Sequence, residues 1–173
     1  LSESGLKYFG DDTCLPELFR QGITNAVMGF ADINNTLRQE KFETIRKWGF
    51  AFPPLVHPSA TLANNVVIND GTIVMAKAVV NAGTIINTNV IINTGAIVEH
   101  DCILGNSAQI GPGAILCGGV IVEKKAFIGA GACIIPQKRV GSSAVIGAGS
   151  IVLHDVKDNT TVFGNPATEK KHS

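Results

Sequence analysis

The chain has 173 residues, which is enough for one ordinary domain or for a small domain attached to another. Its formal net charge is zero and it has no block of five like charges, so the basic surface expected of a nucleic-acid-binding protein is missing. No stretch approaches the roughly 18 uninterrupted apolar residues of a membrane span, and the opening residues do not form a secretion signal. We therefore expect a cytoplasmic protein, without membrane insertion, whose partners are small molecules or protein.

The first 54 residues are predicted to form a small α/β (Rossmann-like) unit. The stretch "LPELFRQG" places Pro16 near the start of a helix and Gly22 at its end. The stretch "NNTLRQEKFETIRKWG" predicts an amphipathic helix with an Asn cap and Gly49 as its stop, while "NAVMGF" and "FAF" are typical of strands. The opening "LSESGLKYFGDD" offers no Gly-rich strand-to-helix turn, so we expect the unit to be incomplete or shortened.

Charged residues become rare after the Pro53–Pro54 pair, with 13 among the first 61 positions and 9 among the next 92. This shift in composition marks a domain boundary. The predicted organisation is an α/β unit over 1–54, a repeat domain over 55–157 and a C-terminal tail over 158–173.

A six-residue repeat fills the second domain. Every sixth residue from Leu62 to Val152 is aliphatic, sixteen in succession, and in the register two residues earlier only Lys138 is neither small nor β-branched. A helical period of 3.6 drifts out of phase with six, whereas short strands separated by corners stay in phase. The sequence thus predicts a mainly β protein, a triangular parallel β-helix of about five 18-residue coils. Lys138 must reach outward, because an unpaired ammonium inside the core is costly.

Glycine and asparagine occupy many residues between the aliphatic positions, where the chain must turn. Corners with positive φ favour these two residue types. We expect such corners at Asn69, Asn81, Asn87, Asn93, Gly105, Gly111, Gly113, Gly129, Gly131, Gly141, Gly147 and Gly149.

The four cysteines show no C-x-x-C pairing, and Cys102, Cys117 and Cys133 recur within small-residue positions of the repeat. Small buried thiols are expected there, in preference to disulfides or metal ligands. Cys102 occupies the small inward register, where burial would raise its pKa and block access, so it is a poor candidate nucleophile.

His100 lies in the stretch "NTGAIVEHDCILG", two residues after the inward-facing Val98 and therefore at a corner. The repeat places Ala82 one coil below it and Gly118 one coil above it. Between two small neighbours the imidazole stands over a shallow surface, and imidazole can remove a proton near neutral pH. Position alone is equally typical of a solvated corner residue.

Four ordered stretches resemble one branch of the hexapeptide-repeat sugar acetyltransferases, the branch of sialic acid O-acetyltransferases and UDP-amino-sugar N-acetyltransferases. They are "VHPSATL", "NTGAIVEHDCILG", "IGPGAILCGGV" and "VFGNPA". The resemblance implies a left-handed β-helix, a homotrimer with active sites between subunits, and acetyl-CoA as co-substrate without a metal. It also implies that the α/β unit binds a nucleotide-linked sugar, although "FADINN" has Ile33 where related chains commonly have Gly.

The resemblance also assigns roles to individual residues. His100 is implied as the general base and Asp101 as the partner that fixes its tautomer, with Glu99 or a backbone carbonyl as alternative orienters. The implied cofactor-binding residues are Gln109, Gly118, Ala130 and Ala148, and the implied substrate contact is Asn93. The family often has His at the position of Gln109, where this chain departs.

These expectations converge on acetyl-CoA-dependent transfer of an acetyl group to the amine of a nucleotide-linked amino sugar, with a backbone N–H near Gly118 stabilising the oxyanion. An O-acetyltransferase acting on a sialic acid or another sugar hydroxyl would use the same base and is the alternative. A metal-dependent hydratase needs three converging histidines, and only His100 of four lies within the repeat. A non-catalytic structural solenoid would show an outward Thr ladder, whereas Thr72 and Thr84 belong to the inward register.

Overall fold

The protein was analysed as a computed structural model, which describes residues 5, 7–33 and 36–169. A 3₁₀ turn, Asp12–Cys14, leads into helix α1, Leu15–Arg20, and helix α2 spans Thr36–Lys47. The remainder is a parallel β-solenoid. Its strands are β1 Leu55–Val56, β2 Thr61–Leu62, β3 Val67–Ile68, β4 Ile73–Val74, β5 Val79–Val80, β6 Ile85–Ile86, β7 Ile91–Ile92, β8 Ile97–Val98, β9 Ile103–Leu104, β10 Gln109–Ile110, β11 Ile115–Leu116, β12 Ile121–Val122, β13 Phe127–Ile128, β14 Cys133–Ile134, β15 Arg139–Val140, β16 Val145–Ile146, β17 Ile151–Val152, β18 Thr161–Phe163 and β19 Thr168–Glu169.

The solenoid is triangular because every third strand joins the same sheet. Face 1 contains β1, β4, β7, β10, β13, β16, β18 and β19; face 2 contains β2, β5, β8, β11, β14 and β17; face 3 contains β3, β6, β9, β12 and β15. Neighbouring strands pair in parallel with partners 18 residues apart, such as Ile97 and Ile115, and only β18 and β19 pair antiparallel. The coils number about six, against the five expected, because β1 precedes the strict repeat and β18 follows it after a longer connection.

The predicted inward register is confirmed. The second residue of each central strand has no exposed surface, and the small register two residues earlier is equally buried, as Ile86, Val98, Leu104, Ala96 and Cys102 show. Each coil donates its N–H groups to the carbonyls of the next, so the backbone of a core without helices is still hydrogen-bonded. Lys138, the exception in the small register, is only partly buried, so its ammonium is not sealed in the core.

Buried hydroxyls in the small register are also satisfied. Thr72 and Thr84 donate their hydroxyls to the carbonyls of Asn87 and Glu99, at 2.9 and 3.0 Å. These bonds tie the interior of one coil to the corner of the coil above, which explains why a polar residue is tolerated in this core.

The corners differ from the prediction. Of the twelve predicted positions, only Gly113, Gly131 and Gly149 have positive φ, and non-glycine residues such as Asp101 and Gln137 adopt the left-handed conformation elsewhere. Most of the other glycines are needed for a different reason, the closeness of the next coil. A β-carbon at Gly105 would lie 2.5 Å from the backbone nitrogen of Lys124, and those at Gly111, Gly129 and Gly141 would meet backbone similarly.

The N-terminal unit is mainly helical and packs on a small aromatic core of its own, in which Phe42 and Phe52 lie 4.7 Å apart. The predicted strands are reduced to a single parallel bridge between Asn25 and Ala51, in keeping with an incomplete α/β unit. Helix α1 begins at Pro16 and ends before Gly22, as predicted. The domain boundaries at 54 and 157 stay a prediction.

Helix α2 is held by its start and by one buried cation. The predicted Asn cap, residues 34 and 35, lies outside the described residues; the Asp32 carboxylate accepts hydrogen bonds from the N–H groups of Thr36, Leu37 and Arg38. The Arg38 side chain has no exposed surface, and it donates to the carbonyls of Met28 and Phe30, each at 2.7 Å. Burial lowers the pKa of Arg38 to about 10.

Candidate active site

His100 and Asp101 lie together on the second edge, by which we mean the row of corners that joins face 2 to face 3. Asp101 has a left-handed φ of 58°, which turns its side chain back towards the preceding residue. The His100 Nδ1 and Asp101 Oδ2 atoms are 2.8 Å apart, a hydrogen-bonding distance. A carboxylate there holds a proton on Nδ1 and leaves Nε2 as an acceptor. Glu99, the alternative orienter, instead accepts a hydrogen bond from Asn81.

Gly118 lies one coil above His100, and the imidazole rests against its backbone. A β-carbon built on Gly118 would lie 2.6 Å from Nε2 and 2.7 Å from Cε1 of the ring. Only glycine therefore leaves the ring its present position. Within the described part of the chain, the Gly118 N–H donates to no acceptor. An N–H group beside the acceptor nitrogen is the arrangement that can stabilise a developing oxyanion.

A shallow cleft of about 270 Å³ opens beside this pair. The side chains of His100 and Asp101 are 62% and 71% exposed, so a ligand can reach them from solvent. Gly119, Pro136 and Gln137 complete the walls of the cleft. The sequence analysis missed these three residues, although the 18-residue period places them one and two coils above the histidine corner.

Three of the predicted contacts lie elsewhere in the chain. Asn93, Ala130 and Ala148 lie on the first edge, the row of corners that joins face 1 to face 2, so face 2 separates them from His100. The Asn93 side chain accepts a hydrogen bond from the N–H of Thr94 at 2.8 Å. Asn93 also lines a separate cleft of about 240 Å³ between the solenoid and residues 28–31.

Gln109 points from face 1 into the junction with the N-terminal unit. It is 5% exposed, and its Nε2 donates to the carbonyl of Asp32 at 2.8 Å. The structure therefore does not bring Gln109 to His100 within one chain. Its proposed contact with the cofactor stays a prediction.

The cysteines are all free thiols. Cys102 is buried as predicted, whereas Cys14, Cys117 and Cys133 are partly exposed, because Cys117 and Cys133 lie outside the inward registers. Burial raises the pKa of the Cys102 thiol to about 11, and its sulfur donates to the carbonyl of Cys117 at 3.3 Å. A nucleophilic role for Cys102 is incompatible with this environment.

Residues 5, 7–33 and 36–169 contain no group of three or more His, Cys, Asp or Glu side chains that could hold a metal ion. Over the same residues, none of the helices combines the length and the apolar character needed to cross a membrane.

A triangular hexapeptide solenoid with an oriented histidine on its edge defines the class of hexapeptide-repeat acyltransferases. No protein-family model and no curated protein matches the sequence. Among solved structures, PerB from Caulobacter crescentus, in complex with CoA and GDP-perosamine, matches with a TM-score of 0.93 and 40% identity, over 96% of this chain and 80% of that chain. The chain belongs to the hexapeptide-repeat sugar N-acetyltransferases.

Two further structures place this membership in context. The acetyltransferase domain of PglB from Neisseria gonorrhoeae, in complex with acetyl coenzyme A, matches with a TM-score of 0.79 and 43% identity, over 81% of this chain and 68% of that chain. WeeI from Acinetobacter baumannii has a TM-score of 0.80 at 24% identity, over 88% of this chain and 76% of that chain, and supports the fold alone.

The comparisons confirm three predictions: the left-handed β-helix, the acyltransferase activity that uses acetyl-CoA as co-substrate, and transfer to the amine of a nucleotide-linked amino sugar.

Proposed function

We propose that the chain transfers acetyl from acetyl-CoA to a sugar amine in one direct step at the second edge, with His100 as the general base. The observation that carries the proposal is the imidazole itself, which is hydrogen-bonded to Asp101 through Nδ1 and rests against the backbone of Gly118. A base must lie within hydrogen-bonding reach of the proton it removes, and the exposed Nε2 is accessible to a substrate in the cleft.

In this mechanism the amine nitrogen attacks the thioester carbonyl carbon while Nε2 of His100 accepts the proton lost by the nitrogen. The carbonyl oxygen becomes negatively charged and accepts a hydrogen bond from the Gly118 N–H, which has no other acceptor in the described residues. Collapse of this intermediate breaks the carbon–sulfur bond, and the imidazolium returns its proton to the leaving thiolate. Asp101 stabilises the imidazolium between these two steps.

We further propose a homotrimer in which two chains complete each site. Both faces that flank the second edge present apolar side chains outward. On face 3 these are Val67, Ile85, Ile103 and Ile121, which are 36–50% exposed, and on face 2 they are Val79, Ile97, Ile115 and Ile151. Contiguous apolar surface of this kind marks an interface. Packing of copies on these faces brings the first edge of one chain, with Ala130 and Ala148, towards the second edge of the next.

GDP-perosamine is the first substrate to test, because it is the ligand of the PerB structure. In our proposal the cleft between residues 28–31 and the solenoid contributes to holding the sugar nucleotide, with Asn93 at one wall. A cytoplasmic location would give the enzyme access to acetyl-CoA and to nucleotide sugars.

The test is replacement of His100 by Ala, with thiol release from acetyl-CoA followed in the presence of GDP-perosamine, other nucleotide-linked amino sugars and free sialic acid. Loss of a general base lowers the rate by about 10²- to 10⁴-fold. Because His100 is exposed, thermal unfolding should not change, which separates a chemical effect from a folding defect. A His100→Ala variant with an unchanged rate contradicts the mechanism, and activity with sialic acid alone assigns O-acetylation.

A further inference from the structure

Gly83 lies one coil below Asp101, and the missing side chain of Gly83 is what makes room for the Asp101 carboxylate. The N–H of Asp101 donates to the carbonyl of Ala82 at 2.9 Å, so the two corners are stacked directly. A β-carbon built on Gly83 would lie 3.3 Å from the carboxylate carbon of Asp101 and deep within contact distance of its Oδ1. The carboxylate therefore occupies the space that any other residue at position 83 would fill.

The same carboxylate orients the histidine. Its Oδ2 lies 2.8 Å from Nδ1 of His100 while its Oδ1 lies over Gly83. The carboxylate is a rigid planar group, so a displacement of Oδ1 rotates Oδ2 away from the imidazole. We propose that Gly83 is a positioning residue that keeps Asp101 on His100. This inference rests on the proposed function, in which His100 is the base.

Little else restrains the carboxylate. The Asp101 side chain is 71% exposed, and within the described residues its hydrogen bond to His100 is its only one. Exposed pairs of this kind gain little from Coulomb attraction alone, since water screens the charges. The shape of the corner below is therefore what limits the positions that the carboxylate can adopt.

Backbone conformation alone does not explain a glycine at position 83. Gly83 has a left-handed φ of 74°, which favours glycine. However, the corresponding positions one and three coils above are Asp101 and Gln137, with φ of 58° and 60°. This row of corners thus accepts side chains in the same conformation, so the space beneath Asp101 is the requirement specific to Gly83.

The experiment uses Gly83→Ala and Gly83→Asn in the full chain, because Asn tolerates the left-handed conformation and carries the same β-carbon. We expect kcat for acetyl transfer to fall at least about tenfold in both variants, as expected when a general base is misoriented. The KM for acetyl-CoA should stay within about twofold, because the loss concerns only the chemical step. Gly113→Ala, which has a φ of 64° and no neighbour within 4 Å, is the control for backbone strain in thermal unfolding.

A double-mutant cycle separates positioning from a general structural effect. In an Asp101→Asn background, Gly83→Asn should cause no further loss of kcat, because the contact that it disturbs is already gone. A folded Gly83→Asn protein with wild-type kcat, or losses that multiply in the double variant, overturns the proposal. The parallel His100→Ala assay tells the two failures apart: activity retained without His100 refutes the mechanism itself, whereas a dead His100→Ala beside a fully active Gly83→Asn refutes only the role of Gly83.

Discussion

Replacement of Gly118 by Ala is expected to lower kcat by about 100-fold without destabilising the protein. The new β-carbon would lie 2.6 Å from Nε2 of His100, and ordinary contact begins at 3.4 Å, so the ring must move by about 0.8 Å. A misplacement of about 1 Å in a catalytic group costs on the order of 10²-fold in rate. Gly118 does not have a left-handed φ, so Ala introduces no backbone strain and should leave the melting temperature unchanged or slightly raised.

The assay is the initial rate of thiol release at saturating acetyl-CoA and sugar nucleotide, with the dissociation constant of acetyl-CoA measured separately by calorimetry. A fall in kcat with intact acetyl-CoA binding is the expected result, since the ring and not the cofactor is displaced. Weaker acetyl-CoA binding with an unchanged kcat would assign Gly118 to cofactor binding alone. Wild-type kcat with wild-type binding would refute the reasoning.

Three other perturbations test the remaining parts of the structure. Arg38→Met should lower the free energy of unfolding by about 2–5 kcal/mol in urea titrations, because it leaves buried carbonyls without donors, and Arg38→Lys should not restore it, since an ammonium lacks the guanidinium fork. Cys102, with its pKa raised to about 11, should resist alkylation at pH 8 in the native protein and react in urea, as followed by mass spectrometry; rapid labelling of the native protein would contradict its burial. Ile103→Asp should give monomers in sedimentation experiments and abolish acetyl transfer, whereas an active monomer would exclude sites shared between chains.

The repeat made most of the fold predictable. Sixteen aliphatic residues at a spacing of six specify a buried line of side chains, and the three-unit coil follows from how such strands close. The same period placed Gly118 directly above His100. It could equally have placed Pro136 and Gln137 in the cleft, had it been extended one coil further.

Features that depend on backbone conformation or on contacts distant in sequence were not predictable. The contact between His100 and Asp101 requires the left-handed φ of Asp101, which a non-glycine residue does not announce. The burial of Gln109 arises from Asp32, 77 residues earlier in the chain, through a carbonyl that no sequence pattern identifies. The predicted strand "NAVMGF" failed to form a sheet because a single bridge to Ala51 is all that its surroundings supply.

The stacking of coils determines which changes in chain length the enzyme can tolerate. Every partner across the sheets is 18 residues away, so removal of one residue within a strand would shift all later columns against the earlier ones and separate Gly83, Asp101 and Gly119 from their row. Loss of a complete 18-residue turn beyond Gln137 would preserve every alignment and only shorten the rod. Natural variants of this protein should therefore differ in length by whole turns or by loops that protrude from corners.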